Sequence, residues 1–463
     1  MTESMVDAVA AAAREGVDAA IARLSTYLSY PAISCLEHHR DDVAQLCAVV
    51  RDDLEALGFE GARILTLEGA QPAVAAEWMG AGPTRPTVLI YGHLDLQPVE
   101  TERWVSAPHQ AEVRGERLYA RGAADDMGGW VSHLAAVTAW FQVAGTLPCN
   151  VRFLLESEEE IGSPNLERYM DAFPEAFEAD VMVLTDCENP SVDVPGLTVS
   201  LRGLMEVELT CQALRADVHS GLWGGMVPDP ALALCQIIAR LVDDDGRLKI
   251  GRRTLSATDL AAAALVPVDA DTVRRGAQLI DGVEPLAERG TPAAVWLWRQ
   301  PSITILYTTL PAPGSEKNAI RRKASARLSV RLAPDQTAEE LFAELRQAAL
   351  ARPPGGVQVS LGLLSTSGSG WLYEPKGPWF DAADRAYEKS WGAPLARIGV
   401  GGSIPFVALF GKRFSDLPLV LNGVMDPETT AHGPNESLHL GVFSKAIVAN
   451  VHLLDEFSRM AVG

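Results

Sequence analysis

Apolar residues recur at helical spacing over residues 7–24. They do so again over 42–57, where Val43, Leu46, Cys47, Val50, Leu54 and Leu57 line one face before Gly58 stops the run. Short continuous apolar runs follow. Pro86–Tyr91, Val151–Leu155, Asp180–Leu184 and Pro418–Leu421 predict buried strands, with helices over 128–144 and 164–172 between them. Strands alternating with helices imply an α/β layer around a mostly parallel sheet. After about residue 203 the period changes. Met205–Cys211 and Ser325–Leu332 alternate apolar with polar, as half-exposed strands do, and helical segments follow at 230–242 and 338–350. This βαβ-like pair predicts a smaller α+β domain over 203–372, ending in the linker-like Ser365–Gly370. The α/β pattern then returns, so residues 1–202 and 373–463 form one domain into which the other is inserted. The alanine-rich stretch 244–300 carries no assignable role.

A chain of 463 residues exceeds what one hydrophobic core usually serves, which agrees with two domains. The net charge of −21 argues against phosphate-backbone binding, which needs a basic face, and against docking on anionic lipid. No apolar run is long enough to cross a membrane, and the first residues lack the basic start and greasy stretch of a secretory signal. The six cysteines, at 35, 47, 149, 187, 211 and 235, form no C-x-x-C pair and read as reduced thiols in a cytoplasm.

The candidate chemistry lies at the carboxyl ends of the predicted strands, where open α/β sheets bind ligands. The first runs into Gly92-His93-Leu94-Asp95, the second into Glu156–Glu160, the third into Asp186, and the last into a loop holding His432; Asp125-Asp126 lies between the first two. Taken singly, each has a bland reading: a packed histidine, a solvated helix start, an N-cap, a turn acid. Together they put at least five acids at one edge with Arg121 as the nearby cation, a charge density that two divalent metals would neutralise. Imidazole with carboxylate suits zinc, or manganese as a harder substitute. His93 is a candidate ligand, with Asp95 accepting its other ring N–H.

At these residues the sequence resembles the M20 family of dinuclear metallopeptidases, above all its cytosolic nonspecific and carnosine dipeptidases. The likeness rests on Gly92-His93-Leu94-Asp95 with Trp104, Ala120–Gly128 and Glu159-Glu160-Ile161-Gly162-Ser163. It continues through Thr185-Asp186, Val218-His219-Ser220-Gly221, Gly401-Gly402-Ser403-Ile404-Pro405 and Ala431–Glu436. The resemblance implies that His93 and Asp186 bind one metal, Glu160 and His432 the other, and that Asp125 bridges both. It also implies Glu159 as general base, an unusual peptide bond at Asp125–Asp126, and His219 as an oxyanion donor reaching the site by domain closure, often across a homodimer. Arg331 would grip a substrate carboxylate, with Asn318 and Ser403 as further substrate contacts. The reaction so implied is hydrolysis of an amide bond in a dipeptide or small peptide. Three positions depart from the family pattern: Val400 replaces a glutamate, Met127 a lysine, and His109 a phenylalanine. No metal ligand is affected. Val400 favours the alternative of an amidohydrolase acting on an N-acyl amino acid or another non-peptide amide.

Overall fold

The computed structural model describes the chain apart from residues 265, 267, 287–291, 311–313, 315, 368–369, 402–404, 415–416 and 462–463. The central sheet has six strands in the order Glu60–Leu65, Ala73–Trp78, Asn150–Glu156, Thr87–His93, Val181–Leu184, Leu419–Leu421. The last four run parallel, and the first two join antiparallel at one edge. The four expected strands all lie among them. Strand alternation divides the packing. Val88 and Ile90 face the helices Met127–Ala144 and Leu440–Phe457, whereas Leu89 and Tyr91 face Leu166–Ala172 and Pro405–Arg413. With both faces covered, strand Thr87–His93 is apolar almost throughout, as its sequence reads.

A second sheet has its own core. Its four strands, in the order Ser302–Thr308, Lys323–Leu332, Gly203–Gln212, Gln358–Ser367, are all antiparallel. Met205, Val207, Leu209 and Cys211 point to one face, where helices Pro230–Leu241 and Ala338–Leu350 cover them. Asp229 caps the first helix by accepting from the Ala231 N–H, and Thr337 with Glu340 forms a capping box on the second. The arrangement is α+β as expected, but the pair read as βαβ-like joins an antiparallel sheet. The linker-like Ser365–Gly370 is strand up to Ser367, while residues 368–369 lie outside the described set. The N-terminal pattern over 7–24 divides into two helices, Glu3–Glu15 and Val17–Leu28, with Gly16 between them.

The unassigned stretch 244–300 contributes helices Ala257–Ala264 and Ala293–Arg299. Ala263, Val295 and Trp298 pack on Ala396 and Ile398 of the strand Ala396–Val400, so this stretch leans on the main body. No described helix is long and apolar enough to cross a membrane.

Candidate metal centre

Five ligand-type side chains converge beyond the carboxyl ends of the parallel strands. One atom from each of His93, Asp125 and Asp186 lies within 4.8 Å of the others, and so do atoms of Asp125, Glu160 and His432. Asp125 belongs to both groups. Its Oδ1 lies 3.2 Å from His93 Nε2 and its Oδ2 lies 3.0 Å from His432 Nε2. His432 Nε2 is in turn 3.2 Å from Glu160 Oε2.

Local structure explains each placement. His93 ends its strand, and its carbonyl accepts from the Trp130 indole N–H. The Asp125–Asp126 peptide is cis, and helix Met127–Ala144 starts directly after it. Asp126 points away from Asp125 and accepts from the Thr185 hydroxyl at 2.7 Å. A Cβ on Gly92 would come within 2.6 Å of the Asp126 carboxylate, and one on Gly129 within 2.0 Å, so only glycine admits this acid between strand and helix. Asp186 follows the strand Val181–Leu184.

The run Glu156–Glu160 divides by role. Glu156 is held by Tyr91 and Ser163, and Glu158 accepts from the Gln71 N–H and from Asn165. Glu160 receives Gln97 Nε2 at 2.8 Å beside His432. The Glu159 carboxylate has no hydrogen-bond partner among the described residues.

Asp95 departs from its expected part. The strand stops at His93, and the nearest acceptor for His93 Nδ1 is the Asp95 backbone carbonyl at 3.0 Å, with the carboxylate at 3.5 Å. That carboxylate instead accepts from the N–H groups of Glu159 and Glu160, at 3.1 Å each. Asp95 thus anchors the turn that presents both glutamates.

The remaining expected residues are not drawn into this cluster by any contact among the described residues. His219 is exposed in a two-stranded ribbon, where its Nδ1 accepts from the Gly221 N–H. Asn318 is an exposed neighbour whose carbonyl accepts from the Ser220 N–H. Arg331 is half-buried on strand Lys323–Leu332, and its charge adds to burial in lowering the Arg202 pKa. Ser403 lies outside the described residues.

The donor set fits cations. Without them, burial pushes Glu159 up to about 8, a rise that the charges of Glu160, Asp125 and Asp95 reinforce and His93 partly offsets. Asp186 is raised by burial and by the Asp125 charge. Desolvation opposes the charge of His93, but the carboxylates of Asp125 and Asp95 beside its ring outweigh it and raise this histidine as well. Hydrogen bonds to Asp125 and Glu160 raise His432 to about 10. A site of buried acids beside imidazoles that must hold protons when empty is one that exchanges those protons for metal.

Residues 89–456 match the family described as Peptidase family M20/M25/M40. The chain belongs to this family. It is 31% identical to the cysteinylglycine-S-conjugate dipeptidase of Corynebacterium striatum, across 93% of this chain and 94% of that protein. It is 28% identical to the Beta-Ala-His dipeptidase of Rattus norvegicus, across 86% of this chain and 84% of that one. The solved structure of the di-peptidase Dug1p from Saccharomyces cerevisiae superposes with a TM-score of 0.78 at 23% identity, covering 98% of this chain and 99% of the other.

This M20 chain also carries positioning residues that its sequence motifs contain without revealing their part. Glu436 is fully buried; its Oε1 accepts from the N–H groups of Ala124 and Asp125, both at 3.2 Å. Its Oε2 pairs with Arg121 at 2.7 Å, and Arg121 also donates to the His432 carbonyl at 3.0 Å. The clasp ties the shared aspartate to the loop of His432, whose φ of 61° is left-handed. A lone arginine amid acids was the one signal of it in the sequence.

The shifts fix a pH response. Burial raises Glu156 to about 7, Glu436 to about 7 and Glu159 to about 8, and His432 reaches about 10. A group with a raised folded-state pKa binds more protons folded than unfolded, so stability falls as pH climbs from its unfolded to its folded value. These raised carboxyls and the imidazole act in the same direction over this window; Asp125, which hydrogen bonds from His432 and His93 hold below the usual carboxylate range despite its burial, has the opposite sign and titrates below the window. The metal-free protein should lose on the order of 5 °C of Tm between about pH 5 and about pH 9, and the metal-loaded protein much less. Calorimetry with and without chelator measures this. Parallel curves would mean that cations do not relieve these acids.

Proposed function

We propose that the protein is a dinuclear metallopeptidase that hydrolyses the amide bond of dipeptides. The observation that carries this is the Asp125 carboxylate, whose two oxygens are divided between His93 and His432 inside two overlapping ligand groups. His93, Asp125 and Asp186 would hold one divalent ion, and Asp125, Glu160 and His432 the other. Three protein ligands each leave room for water and substrate. Mixed nitrogen and oxygen donors favour zinc. When bound, the ions supply Lewis acidity and a water of lowered pKa.

The chain's own groups do the rest. Glu159, free of other bonds, takes the proton of the attacking water and returns it to the leaving amine. Asp95 holds the backbone of Glu159 and so orients that carboxylate. Arg331 binds the carboxylate of the substrate, with Asn318 and Ser403 completing its pocket. His219 donates to the developing oxyanion from the smaller domain, residues 203–372, inserted between 1–202 and 373–463. Exposed Leu222, Trp223 and Met226 beside it support a homodimer as the working form. Six free cysteines, four of them buried, agree with a cytoplasmic location.

The test is a panel of dipeptides and N-acyl amino acids with metal counted per chain, run on the wild type and on His219→Ala. Dipeptides turn over in the loaded wild type, chelator stops turnover, and His219→Ala lowers kcat by about 10²-fold. Turnover of blocked amides alone would move the assignment to the amidohydrolase alternative that Val400 suggested.

A further inference from the structure

A cavity of about 660 Å3 opens beside the proposed centre and extends it on one side. It reaches Thr430 and Ala431, directly before His432, and Glu188, two residues after Asp186. Its far wall comes from the otherwise unassigned stretch: Val266, Val268, Trp296 and Leu297. The lining is mostly apolar, and its ionised groups are few. Arg202 is spent on the Gly401 and Gln300 carbonyls and the Ser302 hydroxyl. Asp426 is paired with Arg117 at 2.7 Å. Glu188 is different. Its side chain is open to the cavity, and among the described residues it has neither a hydrogen bond nor an ion pair.

Register explains where Glu188 points. It bridges in parallel to Met425, extending the pairing of strands Val181–Leu184 and Leu419–Leu421 past their ends. In an extended chain residues i and i+2 share a side, so Glu188 faces the way Asp186 does, about 6.6 Å further along. Cys187, between them, is buried on the opposite side.

We propose that this cavity is the subsite for the amino-terminal residue of the substrate. Glu188 binds its free ammonium group, and the wall of Trp296 and Leu297 receives its side chain. The ammonium of a dipeptide lies one Cα from the carbonyl that is cleaved. An acid one strand repeat from a ligand of that carbonyl's metal therefore stands in the right place. A carboxylate without a hydrogen bond or ion pair in a mostly apolar cavity selects a cationic partner, since the guanidinium in the lining, Arg202, is directed at the Gly401 and Gln300 carbonyls and the Ser302 hydroxyl instead. The stretch 244–300 acquires a task on this reading: it walls the subsite and sets the size of side chain admitted.

The inference rests on the dipeptidase reading, and the experiment separates the two. Two competitive inhibitors are compared, a phosphinic dipeptide analogue with a leucine-like first residue and the same compound lacking its amino group. In the wild type the amine improves binding by roughly 10- to 100-fold. In Glu188→Gln the two bind alike, KM for Leu-Gly rises by the same factor, kcat stays within a few-fold, and two metals per chain remain. Leu297→Ala weakens Leu-Gly selectively over Gly-Gly. An amine preference that survives in Glu188→Gln overturns the proposal, and so does loss of metal in that variant. Failure of the loaded wild type to cleave any dipeptide would instead overturn the underlying reading before a variant is made.

Discussion

Glu159→Gln abolishes turnover, with kcat lower by about 10³-fold or more, while two metals per chain remain by elemental analysis. The size follows from what amide hydrolysis demands. One group must remove a proton from water and deliver it to an amine that would otherwise leave as an anion. The amide side chain of glutamine keeps the volume and loses both steps. Retained metal is the discriminating readout. Glu159 and Glu160 are neighbours on one short turn, Glu159–Ile161, and both are anchored through Asp95. The geometry separates them only by partners: Glu160 meets His432 and Gln97, whereas Glu159 meets neither. If Glu159→Gln loses metal, base and ligand are interchanged.

Asp125→Ala empties both metal sites at once. Every other ligand serves one group, but Asp125 contributes to both, and its removal leaves His93 with Asp186 and His432 with Glu160. Two ligands do not make a tight site for a divalent ion where three or four are usual. Elemental analysis should give well under one metal per chain and activity at background, with circular dichroism unchanged because the backbone clasp by Glu436 survives. Two metals per chain in this variant would contradict a shared carboxylate.

The main strands were legible because they are buried on both faces and read as uninterrupted apolar runs; Thr87–His93 and Val181–Leu184 are of this kind. Strands Glu60–Leu65 and Ala73–Trp78 were not. The first is half-exposed at the sheet edge, and the second is built of small residues whose burial comes from neighbours distant in sequence. The convergence of His93, Asp125, Asp186, Glu160 and His432 was legible because chemistry concentrates at the carboxyl ends of parallel strands, where these side chains meet. The sequence does not say that the strand stops at His93, so it does not show that the Asp95 carboxylate, 3.5 Å from the His93 ring, also takes the Glu159 and Glu160 N–H groups. Glu188 went unnoticed for a similar reason. An acid in Cys187-Glu188-Asn189-Pro190 looks like any turn residue until pairing with Met425 extends the chain and faces it into a cavity.

The clasp of Arg121 and Glu436 has a consequence for biogenesis. The cluster draws its first side chain from residue 93 and its last from 432, and the strand Leu419–Leu421 that carries the final loop pairs with a partner made more than two hundred residues earlier. During synthesis four of the five side chains are therefore translated long before the fifth, and Glu436, which holds the Asp125 N–H, comes later still. Full loading has to wait until synthesis is nearly over, because a chain ending before residue 432 lacks not only that histidine but also Glu436 and the helix Leu440–Phe457, whose apolar face completes the main core.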